Sequence, residues 1–125
     1  MILQQFNKQY KYKSDKDKFG FFEVWDIPKL QDDGFYYGDC EDYCIFLKHN
    51  FDEFEYWDYC YCTLDNQGHC VLMKDNFIID CNSQKVMRFS DYKKIYNVSN
   101  LKKINWFTIF SKFVFGKILA TIKGK

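Results

Sequence analysis

The stretch Gly38-Asp39-Cys40-Glu41-Asp42-Tyr43-Cys44-Ile45-Phe46-Leu47-Lys48-His49-Asn50 decides how this 125-residue chain is read. Asp39 carries the short carboxylate of an N-cap, which accepts from N–H groups that a helix start leaves unpaired. Glu41 and Asp42 suit a first turn, beside the positive end of the helix dipole. Tyr43, Phe46 and Leu47 then recur at helical spacing, and the pattern predicts a helix from about Cys40 to Asn50.

Downstream the period becomes that of strands. Trp57–Leu64 is aromatic and alternating, Asp65-Asn66-Gln67-Gly68 is a turn by composition, and His69–Lys74 reads as a second strand. Asp75-Asn76 turns again into a third strand, Phe77–Asn82. Residues 83–100 look helix-poor, with one further strand at 85–89, and residues 7–18 look like a Lys-rich surface strand or loop. About 104 to 122 the pattern is helical again. A helix packed on an antiparallel sheet is an α+β fold, here a core over 1–103 followed by a basic amphipathic helix over 104–125.

Composition bounds the function. At 47 % hydrophobic and 22 % aromatic the chain can fill the core of one domain. Residues 1–18 carry +3, residues 19–100 carry −8 and residues 101–125 carry +6, which leaves a net +1. Arg88 is the single arginine among 18 basic residues, a poor supply of the guanidinium forks that nucleic-acid readers use. Asp52, Glu53, Glu55 and Asp58 interrupt the aromatic run from Phe51 to Tyr61, which is the wrong charge for stacking on a nucleic acid. No run of about 18 apolar residues spans a membrane. Met1–Lys8 has neither the basic nor the apolar region of a signal peptide, so a cytoplasmic, reducing compartment is the expectation. The six cysteines are then thiols, ligands or a nucleophile rather than a disulfide framework.

One of those thiols has a special address. Cys40 opens the helix, where free N–H groups and the dipole favour thiolate and can hold an oxyanion. Glu41 and Asp42 oppose ionisation, so a base must help. His49 lies at the far end of the helix, whereas His69 opens the second strand and Asp80 lies in the third. Opposed residues of an antiparallel pair share a face. A loop at Asp75-Asn76 opposes His69 to Asn82 with Asp80 diagonal, and a loop at Lys74-Asp75 opposes His69 to Asp80 directly. Both put imidazole and carboxylate on one face. Thiol, base and base-orienter in this order fit a Cys40–His69–Asp80 triad, with sulfur at one ring nitrogen and Asp80 at the other.

Gly38-Asp39-Cys40-Glu41-Asp42-Tyr43 resembles the nucleophile motif of bacterial and phage transglutaminase-like cysteine peptidases. Trp25-Asp26-Ile27-Pro28 is similar to the Trp-x-x-Pro that precedes that motif. Gly68-His69-Cys70-Val71-Leu72 resembles the family's histidine strand and Ile79-Asp80-Cys81-Asn82 its aspartate strand. The resemblance covers residues 7–82 and implies a small papain-like core, the triad above and a protein or peptide substrate. The Cys-to-His interval is short for the family. If the chain is phage-encoded, the compartment is the bacterial host cytoplasm. Gln31 and Trp25 are upstream candidates for a side-chain oxyanion donor.

Other readings stand beside this one. Asp39, Glu41 and Asp42 are hard oxygen ligands suited to calcium, as matching acids are in some adhesin-cleaving members of the family, although N-capping also explains them. Cys60, Cys62, His69, Cys70 and Cys81 invite zinc but lack paired Cys-x-x-Cys spacing. The purely basic tail suits either packing on the sheet or contact with an anionic membrane surface. In function, a transglutaminase or amidase with the same triad, or a non-enzymatic phage-type binding or inhibitor protein on the same fold, are the alternatives to a peptidase.

Overall fold

The computed structural model describes residues 2–13 and 27–105, together with Ile109 and Val114. Trp25 and most of the 104–122 helix lie outside the described residues. In chain order the elements are α1 (Leu3–Gln9), β1 (Tyr10–Tyr12), β2 (Tyr36–Gly38), α2 (Cys40–Asn50), a 3-10 turn (Asp52–Phe54), β3 (Asp58–Leu64), β4 (Gln67–Lys74), β5 (Phe77–Ile79), β6 (Met87–Arg88), α3 (Phe89–Ile95) and β7 (Val98–Lys103). The fold is α+β. Strands β6-β5-β4-β3-β7 form an antiparallel sheet, and β1 pairs with β2 in a small parallel one.

The helix over 40–50 forms where its cap predicts, and its neighbours explain why it is buried so completely. Glu41 through Leu47 are all buried, because α2 lies between β4 on one side and β2 with the 3-10 turn on others. A helix enclosed this way must be apolar over most of its surface. Phe6 of α1 closes the top, stacked on Phe46 with ring centroids 3.9 Å apart. Of the stretch 7–18, the described residues 7–13 are more than a surface strand or loop. They include the end of α1 and the short β1, which covers Tyr43 through Tyr10.

Two apolar layers flank the main sheet. Tyr59, Cys70, Leu72 and Ile79 face α2, while Cys60, Cys62, Leu64, Val71 and Ile78 face Tyr92 of α3. Asp65 and Asn66 alone make the first hairpin turn, with φ of 49° and 67°, so Leu64 pairs directly with Gln67. Positive φ at both central residues matches the twist of tight hairpins and suits Asp and Asn. The second hairpin turns at Asp75-Asn76, pairing Lys74 with Phe77 and Leu72 with Ile79.

Two further expectations need correction. The third strand ends at Ile79 instead of Asn82, because Asp80 leaves the ladder to start a turn closed by Gln84 N–H on Asp80 O at 2.9 Å. The stretch 83–100 is not helix-poor, since it contains α3. The edge strand β7 begins there too, pairing with β3 through a register shift between Tyr61 and Thr63. Of the expected tail helix, Ile109 is helical, donates its N–H to Asn105 O at 3.2 Å and packs against the α2-side core.

Candidate active site

The first turn of α2 is built around two carboxylates. Asp39 Oδ1 accepts from Glu41 N–H at 3.0 Å and Asp42 N–H at 3.1 Å, while Asp42 Oδ2 accepts from Asp39 N–H at 3.0 Å. This reciprocal cap satisfies donors that would otherwise be orphaned. It also settles Gly38. A Cβ there would stand 2.3 Å from Asp42 Cβ and 2.7 Å from Asp42 Oδ2, so no larger residue fits beside this cap. The oxyanion role expected of the whole first turn therefore narrows to one group. Glu41 and Asp42 N–H are taken by Asp39, whereas Cys40 N–H makes no hydrogen bond among the described residues.

Cys40 itself is partly exposed, and its sulfur accepts the Cys70 N–H at 3.4 Å. That N–H is available because the β4–β5 ladder stops at Leu72↔Ile79. The next pair of the same register would be Cys70 with Cys81, and the sulfur sits where that pairing would have continued. Burial above all, then Cys70 and Asp39, push the Cys40 thiol well above its ordinary value, and the Cys70 hydrogen bond offsets this only in part. The helix start thus does not make a resting thiolate.

His69 and Asp80 meet as the hairpin geometry requires. The observed register is the Asp75-Asn76 alternative, with Asp80 diagonal to His69, and His69 Nε2 lies 2.6 Å from Asp80 Oδ2. Asp80 is fully buried and takes two further donors, Ser83 N–H on Oδ1 at 2.8 Å and the Tyr92 hydroxyl on Oδ2. Burial alone would raise its pKa. The hydrogen bonds from His69, Tyr92 and Ser83 more than offset burial and hold the carboxyl below its ordinary 3.8. An ionised carboxylate only accepts, so the imidazole carries its proton on Nε2 and Nδ1 is the basic nitrogen.

Cys40 and His69 line one cleft of about 420 Å³ with Tyr12, Leu64, Gly68 and Cys81. They reach it from different sides. Cys40 comes from the α2 layer, while strand alternation carries His69 toward α3, opposite Cys62 on β3. Among the described residues no hydrogen bond joins the sulfur to the imidazole.

The remaining candidates fall elsewhere. Gln31 is exposed, and its amide donates to Lys29 O at 3.1 Å, outside the lining of the cleft. Trp25 lies outside the described residues. Asp39 and Asp42 are engaged with backbone N–H groups, and Glu41 Oε2 accepts from the Tyr61 hydroxyl at 3.3 Å. Among the described residues no three His, Cys, Asp or Glu side chains converge to hold a metal ion. All six cysteines are free thiols, with burial pushing Cys60 and Cys62 up to about 11 and Cys81 up to about 12. No helix among the described residues is long and apolar enough to cross a membrane.

Two residues of this site escape a reading of the sequence. The only sign of Ser83 in the sequence is its place three residues after Asp80, the spacing at which a carboxylate accepts a backbone N–H in a cap-like turn. Tyr92, inside Ser90-Asp91-Tyr92-Lys93-Lys94, carries no signal in its polar surroundings. No protein-family model and no curated protein matches this chain.

Proposed function

We propose that this chain is a thiol-dependent acyl-transfer enzyme, most simply a cysteine peptidase of the transglutaminase-like, papain-like kind that its motifs resemble. The supporting observation is the 2.6 Å His69–Asp80 bond at the wall of the cleft that also holds Cys40. Cys40 Sγ attacks the carbonyl carbon of a peptide bond while its proton passes to His69 Nδ1. The oxyanion is held by Cys40 N–H, the C–N bond breaks, and His69 returns the proton to the leaving amine. Water then hydrolyses the thioester, releasing the acid and restoring the thiol. An amine in place of water makes the same site a transglutaminase. Because burial keeps the resting thiol protonated, its proton passes to the imidazole during attack on any electrophile, a peptide carbonyl or iodoacetamide alike, and sulfur and imidazole come together for either. Loose catalytic hydrogen bonds without substrate are common.

A second reading, a non-enzymatic binder on the same fold, draws on the raised Cys40 pKa. Alkylation by iodoacetamide, mapped by mass spectrometry, separates the two. For the enzyme, Cys40 at pH 7 reacts at least about tenfold faster than in His69→Ala, and faster than the other five thiols. Without His69 the rate keeps climbing beyond pH 9, as an unassisted, raised thiol ionises. Equal Cys40 rates with and without His69 leave the binder.

A further inference from the structure

We propose that Tyr92 is a positioning residue of this site. Its hydroxyl shares Asp80 Oδ2 with His69 Nε2, fixing the carboxylate so that the imidazole proton stays on Nε2 and Nδ1 stays open. Its catalytic meaning rests on the acyl-transfer reading, and the first measurement below does not.

Three observations converge on it. Tyr92 is fully buried and is the sole buried residue of α3. A buried phenol needs a partner for its O–H, and phenylalanine would fill the same space without that demand. The partner is the very oxygen that orients the imidazole. With Ser83 N–H holding Oδ1, the two ends of the carboxylate are pinned from different elements, the turn after β5 and helix α3. A rotation of the carboxylate breaks bonds at both ends at once. Burial and the adjacent Asp80 raise the Tyr92 phenol, so it remains a donor throughout the ordinary pH range. The Tyr92 O–H also takes up part of the negative charge on Oδ2, which tempers how strongly Asp80 holds an imidazolium.

Tyr92→Phe keeps the ring and deletes the donor. Carbon-13 NMR of the carboxyl carbons, with Asp80 assigned by its loss in Asp80→Asn, should show the Asp80 midpoint rising by about one unit in Tyr92→Phe. An unmoved midpoint overturns the proposal. The pH profile of Cys40 alkylation is the second readout. Its acidic inflection should move to higher pH in Tyr92→Phe, because the unshared carboxylate charge stabilises the imidazolium. In an Asp80→Asn background the same substitution should change nothing, as coupling through Asp80 requires. An Asp80 shift with an unchanged profile, where His69→Ala does alter it, makes Tyr92 merely structural and overturns the proposal. A profile indifferent to His69→Ala removes the acyl-transfer reading and the positioning role with it. In the unmutated protein, the Tyr92 hydroxyl proton should be visible, slowly exchanging, and close in NOE to the His69 ring. A rapidly exchanging hydroxyl also overturns the proposal.

Discussion

Asp80→Asn should cut turnover of a peptide substrate by about 10⁴-fold while the chain stays folded, the order expected when an amide replaces a base-orienting carboxylate. The reason lies in donor counting. Asp80 accepts from Ser83 N–H at one oxygen, and from Tyr92 O–H and His69 at the other. Asparagine has one oxygen and one NH₂. If the oxygen faces Ser83, the NH₂ faces the imidazole and drives its proton to Nδ1, the nitrogen that must be basic. If it faces the imidazole, NH₂ and the Ser83 N–H confront each other. Stability tells the same story on a pH axis. The folded carboxyl ionises more readily than the unfolded one, so its contribution is complete above the ordinary 3.8 and is lost as pH falls through the lower folded value. Urea midpoints of the native chain should therefore drop in that acid window, and those of Asp80→Asn should drop less. Equal turnover in both proteins would end the triad reading.

Gly38→Ala should destabilise the chain by about 3 kcal/mol, the sum expected for overpacking and a broken cap. The melting temperature then falls on the order of 10 °C. The added methyl meets Asp42 Cβ at 2.3 Å, so turning the Asp42 carboxylate aside does not relieve the collision. Something in the Gly38–Asp42 backbone must move, and Cys40 lies within it. Asp42→Ala alone should cost only the cap, about 1 kcal/mol, and should not rescue Gly38→Ala, because its Cβ remains. Differential scanning calorimetry of the three variants checks this. A Gly38→Ala protein as stable as its parent would show that this turn has more room than 2.3 Å implies.

How much of this was legible depended on whether a segment's own residues demanded their state. Helix α2 runs over Cys40–Asn50 as read, since Asp39 caps it and its apolar residues need burial. The His69–Asp80 contact followed from strand alternation alone, whichever even-length loop closed the hairpin. Other elements gave little sign because their own residues ask for little. Helix α1 buries Phe6 alone, α3 buries Tyr92 alone, and β7, Val-Ser-Asn-Leu-Lys-Lys, is mostly exposed. Each is formed by what it docks on rather than by its own pattern, so tertiary context overrides weak propensity. Strand β5 stops short of its alternating pattern for a related reason. Ile79-Asp80-Cys81-Asn82 alternates well enough for a strand, but Asp80 instead accepts from Ser83 N–H and Tyr92 O–H with its side chain and from Gln84 N–H with its carbonyl, which closes a turn.

That early stop of β5 sets two structures in competition for one amide. The Cys70 N–H can close another rung with Cys81 or it can point at the Cys40 sulfur, and it cannot do both. An unpaired strand margin is a template on which a foreign chain can zip, and natural sheets usually blunt it with charge, proline or a bulge. Here a thiol at a helix tip stands guard over the rung. Hairpin length thereby acts as a selector between sheet and site: two more paired residues would seal the margin and unseat the thiol. Trimming the hairpin instead would bare a margin wider than one sulfur can cover.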